Sequence, residues 1–443
     1  MLIIVFMEGR FVKKTTFTVI VIMLLSALTF AKPLEVWLTG LTNEELSIFR
    51  EMSADYTKKY GVEVVFSNLS WGDFESRFIL AAASGETPDV GGMGPLFAPE
   101  LGLRGAIIDL KTTFADFNEV YSRIAPNFFK SLTYKGAYFG IPYNANVTVA
   151  FQRNDILAQI GTLDIKTWDE MRSILPKTQS KGSNMALQWG LTENVYADLN
   201  MFMWQNGADD YIDNLTKSGF DSPASINAFK EYVDLYNKYK IPKDIPFFQA
   251  FSTGELFYML QYQNMYTNLR TAAPQLNGKW SMVQVPGTTQ GKEINRAASA
   301  GGAALTIFKN SRMKNEAWNF IKWMTEEKTQ AEFAKLVMAK IPGSIFVPAN
   351  RQAVLKLDMP KEDLQLMLGA MDAGSTSTYG LVAPKLRRRY LQFAAQEAIL
   401  QGVDAETAIR KAASEHNSEI KKKEKEYARF IETLLKEQSK NKK

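Results

Sequence analysis

The N-terminal part of the chain alternates between short apolar runs and amphipathic segments. Apolar and β-branched residues predict strands over Lys32–Gly40 and Val62–Ser67, and a further short strand after Asp89. Apolar residues at helical spacing predict helices over Asn43–Tyr60 and Asp73–Ser84. This order is typical of an open, mostly parallel α/β sheet with right-handed crossovers. Ligands of such sheets lie at the carboxyl ends of the strands, so we expect a site there.

The stretch Tyr134–Leu157 predicts a bend at which the chain leaves one sheet and enters another. It contains two runs rich in aromatic and β-branched residues, Ala137–Ile141 and Asn146–Phe151, with Pro142 between them. Proline cannot donate to a central ladder, and it favours an extended conformation in the residue before it. Since α/β patterns flank the bend on both sides, we expect two lobes joined by crossing strands.

The rest of the chain is read as a second α/β unit followed by helices. Strands are predicted over Asn264–Leu269 and Trp280–Val285. The last third is helical in pattern, with a Gly/Ser/Thr-rich loop at Ala373–Gly380.

Composition and charge narrow the class of protein. The 443 residues favour two domains, and 46% hydrophobic with 22% charged residues is typical of globular cores. A net charge of only +5 gives no reason to expect nucleic acid as a partner. With no cysteine and a single histidine, His416, we expect no disulfide, no metal site and no Ser-His-Asp triad.

The N-terminus has the pattern of a secretory signal. Arg10, Lys13 and Lys14 precede the apolar run Phe17–Phe30, and small residues lie at the −3 and −1 places before Lys32. We therefore expect residues 1–31 to be removed, with an uncleaved anchor as the alternative. Without a cysteine for lipidation, the product is expected to be periplasmic.

Several stretches, in order along the chain, resemble one family. They include Gly85–Val90 (GETPDV), Tyr138–Leu157, Val285–Thr288 (VPGT), Gly301–Ile307 and Gly402–Ala413. Together they resemble the extracellular solute-binding proteins of ABC importers, in the branch that contains maltose-binding protein. Met93 and Leu96 differ from that branch, which has a Trp and a sugar-binding acid there, so maltose itself is not expected.

The resemblance implies a periplasmic-binding-protein-like α/β fold of two lobes that close over a solute. It also implies three interlobe crossovers, near Asn144–Asn146, Arg296–Gly301 and Ile341–Ser344, and a helical C-terminal third. The N-terminal lobe would comprise 32–143 plus 301–340 and the C-terminal lobe 144–300 plus 341–437. Apart from the resemblance, the lysine-rich end of the chain predicts a disordered basic tail at 438–443. The implied partners are a sugar and the membrane subunits of an ABC permease, with no nucleic acid, no cofactor and a monomeric state.

Candidate ligand contacts follow from the chemistry of sugars, which present apolar faces and rings of hydroxyl groups. Such ligands need aromatic planes together with fixed amide, hydroxyl or charged groups. Strand-end and loop positions with these side chains are Trp37, Thr39, Trp71, Asp89, Asn144, Asn146, Tyr196, Trp204, Asn268, Arg270, Gly301 and Tyr379. For Trp37 and Trp204 the alternative role is packing in the core. For Asp89 the alternative is a turn, and for Arg270 it is an ion pair between the lobes.

The sequence leaves the solute open. A carbohydrate, with an oligosaccharide preferred, competes as the solute with amino acids, peptides or polyamines. For a solute that carries a carboxylate, Arg270 is the candidate clamp. An exported glycosidase is a further alternative, since two facing carboxylates among 47 acidic residues would suffice. No acid stands in a recognisable catalytic motif, so the sequence favours a binding protein over an enzyme.

Overall fold

The computed structural model describes residues 32–188 and 193–440, with the side chains of 193–197 left out. The predicted signal segment, 1–31, lies outside the described residues. Within the part that is described, each helix is too short or too polar to cross a membrane.

Short strands form two main sheets and several small ribbons. In chain order they are β1 Leu34–Thr39, β2 Val64–Leu69, β3 Val90–Met93, β4 Thr133–Tyr134, β5 Ala137–Tyr138, β6 Ile141–Pro142, β7 Asn144–Arg153, β8 Asn184–Ala186, β9 Tyr211–Ile212, β10 Lys217–Ser218, β11 Leu256–Tyr262, β12 Trp280–Val283, β13 Thr288–Gln290, β14 Glu293–Asn295, β15 Ala300–Gly301, β16 Ala304–Ile307 and β17 Val347–Pro348.

Helices cover the faces of both sheets and make up the C-terminal part. They are α1 Asn43–Tyr60, α2 Phe74–Ser84, α3 Ala98–Leu103, α4 Leu110–Thr113, α5 Phe117–Tyr121, α6 Asn154–Ala158, α7 Trp168–Gln179, α8 Glu193–Gln205, α9 Pro223–Asn237, α10 Phe247–Thr253, α11 Met265–Ala272, α12 Lys314–Met324, α13 Glu327–Lys340, α14 Arg351–Val354, α15 Lys361–Ala373, α16 Pro384–Leu400 and α17 Ala405–Lys440. Two 3₁₀ helices lie at Pro126–Leu132 and Pro274–Leu276.

The first sheet has the order β2-β1-β3-β16-β6. Strands β1, β2 and β3 are parallel, whereas β16 is antiparallel to both of its neighbours. The crossover helix α1 begins at a capping box, in which Thr42 and Glu45 each bond the other's backbone N–H, and it ends at Gly61 with φ +70. Both ends of the helix can be recognised from a few neighbouring residues of the sequence. Because β1, β2 and β3 are parallel, their carboxyl ends lie along one edge of the sheet.

The second sheet is organised around the ten-residue strand β7. Its order is β12-β7-β11-β8, and β15 and β17 also pair with β7. The chain crosses between the sheets directly after Pro142, because β6 pairs with β16 in the first sheet and β7 belongs to the second. The bend predicted at Pro142–Asn146 is therefore the first crossing.

All three crossing segments lie side by side at the amino end of β7. Gly301 of β15 is opposite Asn146, and Val347 of β17 is opposite Ala145. A Cβ on Gly302 would lie 1.9 Å from the carbonyl oxygen of Asn144, so only glycine allows this close approach. The two-lobe fold with three crossovers is thus present, while the exact lobe boundaries stay a prediction.

The last helix, α17, contacts both lobes. Its first half packs in the second lobe, and near its end the Arg104 guanidinium donates to the Tyr427 hydroxyl (2.6 Å). The helix runs to Lys440, and the Gln438 amide donates to the carbonyl of Lys135. The expectation of a disordered tail was therefore wrong for residues 438–440, since this segment packs as helix; residues 441–443 lie outside the described residues.

One strand assignment was also wrong. Residues 265–269 belong to α11 and Asn264 is its N-cap; Tyr266 and Leu269 are buried at helical spacing. The strand in this region is β11, which lies inside the sheet and is buried for most of its length. A strand buried on both faces loses the apolar–polar alternation by which a strand is recognised.

Candidate functional site

A cavity of about 290 Å³ lies between the two sheets where the crossing segments meet. Its lining combines three groups of residues: Trp71, Gly94, Pro95, Leu96 and Ser131 from the first lobe; Asn144, Asn146, Ser299, Ala300, Gly301, Gly302 and Ala303 from the crossings; and Trp204, Tyr262, Thr376, Ser377 and Arg388 from the second lobe. The strand-end edge of the first sheet therefore faces the second lobe across this cavity.

Trp71 forms the aromatic wall on the first lobe. It follows the carboxyl end of β2 and packs edge-on against Phe74 with 5.4 Å between ring centroids. Its indole lies over Gly40 (φ +76), where a Cβ would come within 1.9 Å of the indole nitrogen. Trp71 remains 52% exposed, so the ring is held in place while much of its surface is open.

Two aromatic side chains form the facing wall on the second lobe. Trp204 lies near the end of α8 and is 7% exposed, and its carbonyl accepts a hydrogen bond from the Asn295 amide (3.1 Å). Tyr262 is the last residue of β11 and is partly buried. A flat ligand can therefore meet aromatic surface from both lobes.

Two asparagines at the amino end of β7 present amide groups to the cavity. The Asn144 side-chain oxygen accepts from the backbone N–H of Ala303 (2.7 Å), across the first and second crossings. Gln263, which is buried, accepts from the Val147 N–H (2.8 Å) and donates to the Asn146 side-chain oxygen (3.2 Å). These bonds set the direction in which each amide can offer its remaining donors and acceptors.

The rest of the polar lining consists of hydroxyl groups and one charge. Ser131, Ser299, Thr376 and Ser377 supply the hydroxyls, and Arg388 is the sole charged residue among the described lining. Within the described residues no group of three or more acidic or histidine side chains could hold a metal ion. Such a lining suits a small, largely neutral molecule rich in hydroxyl groups.

Comparison with known proteins identifies the family. The sequence profile of the bacterial extracellular solute-binding proteins matches residues 51–356, more than half of the chain. This chain belongs to that family.

The relatives of this solute-binding protein include two that are named for the sugar they bind. The maltotriose-binding protein of Pyrococcus abyssi is 22% identical over 314 residues, and the lactose-binding protein of Rhizobium radiobacter is 21% identical over 314 residues. These matches cover 67% and 68% of this chain, and 64% and 72% of the relatives. The match thus spans less than two thirds of the length of the maltotriose-binding protein.

Solved structures share the fold. The sugar-binding protein MalE from Xanthomonas citri has a TM-score of 0.78 at 20% identity, covering 90% of this chain and 99% of its own. The cyclic α-maltosyl-1,6-maltose binding protein from Arthrobacter globiformis has a TM-score of 0.73 at 18% identity, covering 88% and 100%. At these identities the likeness establishes the fold alone.

Five of the residues selected from the sequence line the cavity of this solute-binding protein: Trp71, Asn144, Asn146, Trp204 and Gly301. They come from four distant parts of the chain and meet only through the crossings. Whether they contact a ligand stays a prediction.

Three selected residues of the first sheet lie elsewhere. Trp37 is partly buried and packs against Phe78, with 5.9 Å between ring centroids. The Thr39 hydroxyl donates to the carbonyl of Gly92 (2.7 Å), and the Asp89 carboxylate accepts from the Ser311 hydroxyl (2.6 Å). The Thr39 and Asp89 side chains thus bond within the first lobe, and the Trp37 ring packs there.

The remaining selected residues also lie outside the cavity lining. Asn268 and Arg270 are on the exposed face of α11, where Arg270 donates to the hydroxyl of Tyr266 (2.8 Å). Tyr379 is 3% exposed and packs edge-on against Tyr134, and burial raises its pKa well above the usual value. The side chain of Tyr196 lies outside the described residues.

Sequence reasoning missed several lining residues for identifiable reasons. Tyr262 escaped because its strand was not recognised. Thr376 and Ser377 lie in the Gly/Ser/Thr loop that the sequence marked, but Tyr379 was chosen there because an aromatic ring is the stronger sugar signal. No local signal distinguishes Ser131 or Ser299 from other serines, since only the crossings bring them to the cavity.

Proposed function

We propose that this solute-binding protein is exported and binds a carbohydrate between its lobes for delivery to the membrane subunits of an ABC permease. It would act as a monomer, without cofactor, metal or catalysis. The observation that carries the proposal is the pairing of Trp71 with Trp204 and Tyr262 across a cavity whose other polar groups are mainly amides and hydroxyls. Aromatic planes suit the apolar faces of a sugar, and the neutral groups suit its hydroxyls.

The names of the relatives point to the same class of solute. Those cited above bind maltotriose, lactose and a cyclic maltosyl-maltose, and a Thermotoga lettingae solute-binding protein with a TM-score of 0.67 carries α-D-tagatose. The cavity volume of about 290 Å³ is at the lower end of the ~300–1,000 Å³ typical of small-molecule sites. A short saccharide therefore suits this arrangement of the lobes.

Lobe closure supplies the mechanism. A ligand that contacts both lobes binds the closed form more tightly than the open form, and so shifts the population towards closure. Ion pairs that join the predicted lobes include Lys130 to Asp209 (2.8 Å) and Lys385 to Glu75 (3.4 Å). The second pair is exposed on both sides, so it contributes little to the closed form by itself.

Export rests on the pattern of residues 1–31, a basic segment followed by an apolar run and a small-residue cleavage site. The 443 residues contain no cysteine, the residue to which the lipid anchor of a bacterial lipoprotein is attached. The periplasm is therefore the proposed location.

A carboxylate-bearing solute is the second candidate, because Arg388 lies in the cavity lining. Polyamines are disfavoured by the same feature, since they require acidic groups and the described lining contains none. A sugar acid would combine the aromatic contacts with a charge-assisted bond to Arg388.

A thermal-shift screen of the protein from Lys32 tests these alternatives. At a hundred times its Kd a ligand stabilises the folded protein by about 2.7 kcal/mol, which raises Tm measurably. Neutral saccharides should give the shifts, and the same sugar should be recovered unchanged. Shifts only with amino acids or polyamines would refute the carbohydrate proposal, and consumption of the sugar would indicate an enzyme.

A further inference from the structure

The segment Gly374–Ser377, here called the cleft loop, forms part of the wall of the cavity. The Ser375 N–H donates to the carbonyl of Ala298 (2.8 Å), and the Ser375 carbonyl accepts from the N–H of Ala300 (2.9 Å). The loop therefore extends the backbone ladder of β15, the strand of the second crossing. Its Thr376 and Ser377 line the cavity.

The second lobe holds the residue that follows the loop. The buried guanidinium of Arg387, on α16, donates to the carbonyl of Thr378 (2.9 Å), and the Thr378 hydroxyl donates to the carboxylate of Asp209 (2.9 Å). These contacts stay within one lobe. They therefore hold Thr378, which connects the cleft loop to α16, in the same position whether the lobes are close together or apart.

The first lobe also holds the cleft loop, through the 3₁₀ helix Pro126–Leu132. The Asn127 side-chain amide donates to the carbonyls of Met371 (2.9 Å) and Gly374 (2.5 Å). The Asn127 carbonyl accepts from the hydroxyl of Thr376 (3.1 Å).

Lys130, one turn further along the same helix, adds the ion pair with Asp209 (2.8 Å). The next residue, Ser131, lines the cavity itself. Both Asn127 and Lys130 are only partly buried and neither belongs to the cavity lining. These bonds join groups on opposite lobes, and they require the lobes to be close together.

We propose that Asn127 and Lys130 are positioning residues that couple lobe closure to the shape of the ligand site. When the lobes approach, Asn127 forms hydrogen bonds with Gly374 and Thr376. These bonds position the side of the cavity that Thr376 and Ser377 form. When the lobes separate, these bonds break and the loop keeps only its contacts with the second lobe. The affinity for the ligand then depends on two residues that the ligand does not touch. This inference rests on the proposed function, because it assumes that the solute binds in the cavity between the lobes.

Binding kinetics test the proposal on the full mature chain, with the sugar found in the screen. Asn127→Ala and Lys130→Met should each raise Kd by about 5-fold or more, the lower end of typical coupling between sites. The change should lie in koff, because these contacts act after the ligand has entered. Asn127→Asp, which has the same shape but cannot donate to two carbonyls, should be no better than the alanine variant, whereas Lys130→Arg should retain affinity.

Asn118→Ala is the matched control. Asn118 is an exposed asparagine of α5 in the same lobe, and its side chain makes no described contact with the second lobe. Its Kd should equal that of the wild type. An unchanged Kd in both Asn127→Ala and Lys130→Met overturns the proposal, as does a loss of affinity that appears in kon alone.

A measurement without ligand separates this proposal from the proposed function. Because the chain has no cysteine, fluorophores can be attached through Glu86→Cys on the first lobe and Leu400→Cys on the second, both of which are exposed. Single-molecule energy transfer should show fewer closed molecules for Asn127→Ala than for the labelled parent. Equal closed fractions overturn the coupling proposal, whatever the solute proves to be, whereas failure of every sugar in the screen overturns only the carbohydrate proposal. Lys130→Met serves for both measurements if Asn127→Ala does not fold.

Discussion

Replacing Trp71 by alanine tests the first-lobe wall of the cavity. Trp71 is 52% exposed, so about half of the ~150–250 Å² that an aromatic side chain can bury is open to a ligand. A sugar ring covers one face of the indole, or roughly 50 Å², which at ~25 cal/mol per Å² corresponds to about 1.3 kcal/mol. We therefore expect Kd to rise about tenfold.

Isothermal titration with the sugar from the screen measures this change. Phe393→Ala is the control, since Phe393 on α16 is 44% exposed but does not line the cavity. It should leave Kd unaltered. Melting of the unliganded proteins reports separately on the lost packing of Trp71 against Phe74. A Trp71→Ala protein whose Kd stays within about twofold of the wild type would refute the assignment of this wall.

Further predictions concern the hinge and the pH dependence of stability. The buried Gln330 amide donates to the carbonyl of Tyr143 and accepts from the N–H of Asn350. Gln330→Ala should therefore lower the free energy of unfolding by about 2–4 kcal/mol in urea titrations. A loss below about 0.5 kcal/mol would contradict this prediction. Burial lowers the pKa of His416 to about 3, so its contribution to stability is complete above its ordinary pKa and is lost as the pH falls towards 3. Burial raises the pKa of Asp198 to about 7, so its contribution is complete at low pH and is lost as the pH rises through 7. Between pH 5 and pH 7 the two groups change the free energy of unfolding in opposite directions, each by about 2 kcal/mol. As the pH rises over that range, the Asp198→Asn protein should become more stable and the His416→Gln protein less stable. Stability profiles parallel to that of the wild type would refute these assignments.

Local signals in the sequence were sufficient for much of the fold. The capping box of Thr42 and Glu45 and the stop at Gly61 depend only on neighbouring residues, and the helix bounds follow from them. Pro142 and the extended runs around it marked the first crossing for the same reason. By contrast, β11 was missed because a strand buried on both faces lacks alternation, and 264–269 was wrongly read as a strand in its place.

For the candidate site too, some residues could be selected from local signals in the sequence and others could not. The strand-end rule and the aromatic signal were enough to select Trp71, because it directly follows an edge of the sheet that the sequence already predicted. The same reasoning also selected Trp37 and Tyr379, whose rings pack against Phe78 and Tyr134. Which face of a strand or loop meets the cavity depends on the packing of residues far apart in the chain, and periodicity alone does not determine it.

The sequence by itself therefore determined most of the helices and strands, the bend at Pro142 and the family resemblance, since each depends on residues close together in the chain or on their order. Only the tertiary structure decided which residues meet at the cavity. The crossings bring Ser131, Asn146 and Thr376 to one place, although they come from different segments and carry no local mark of that role. Their proximity is a consequence of the pairing of β15 and β17 with the amino end of β7, which is a long-range property of the folded chain.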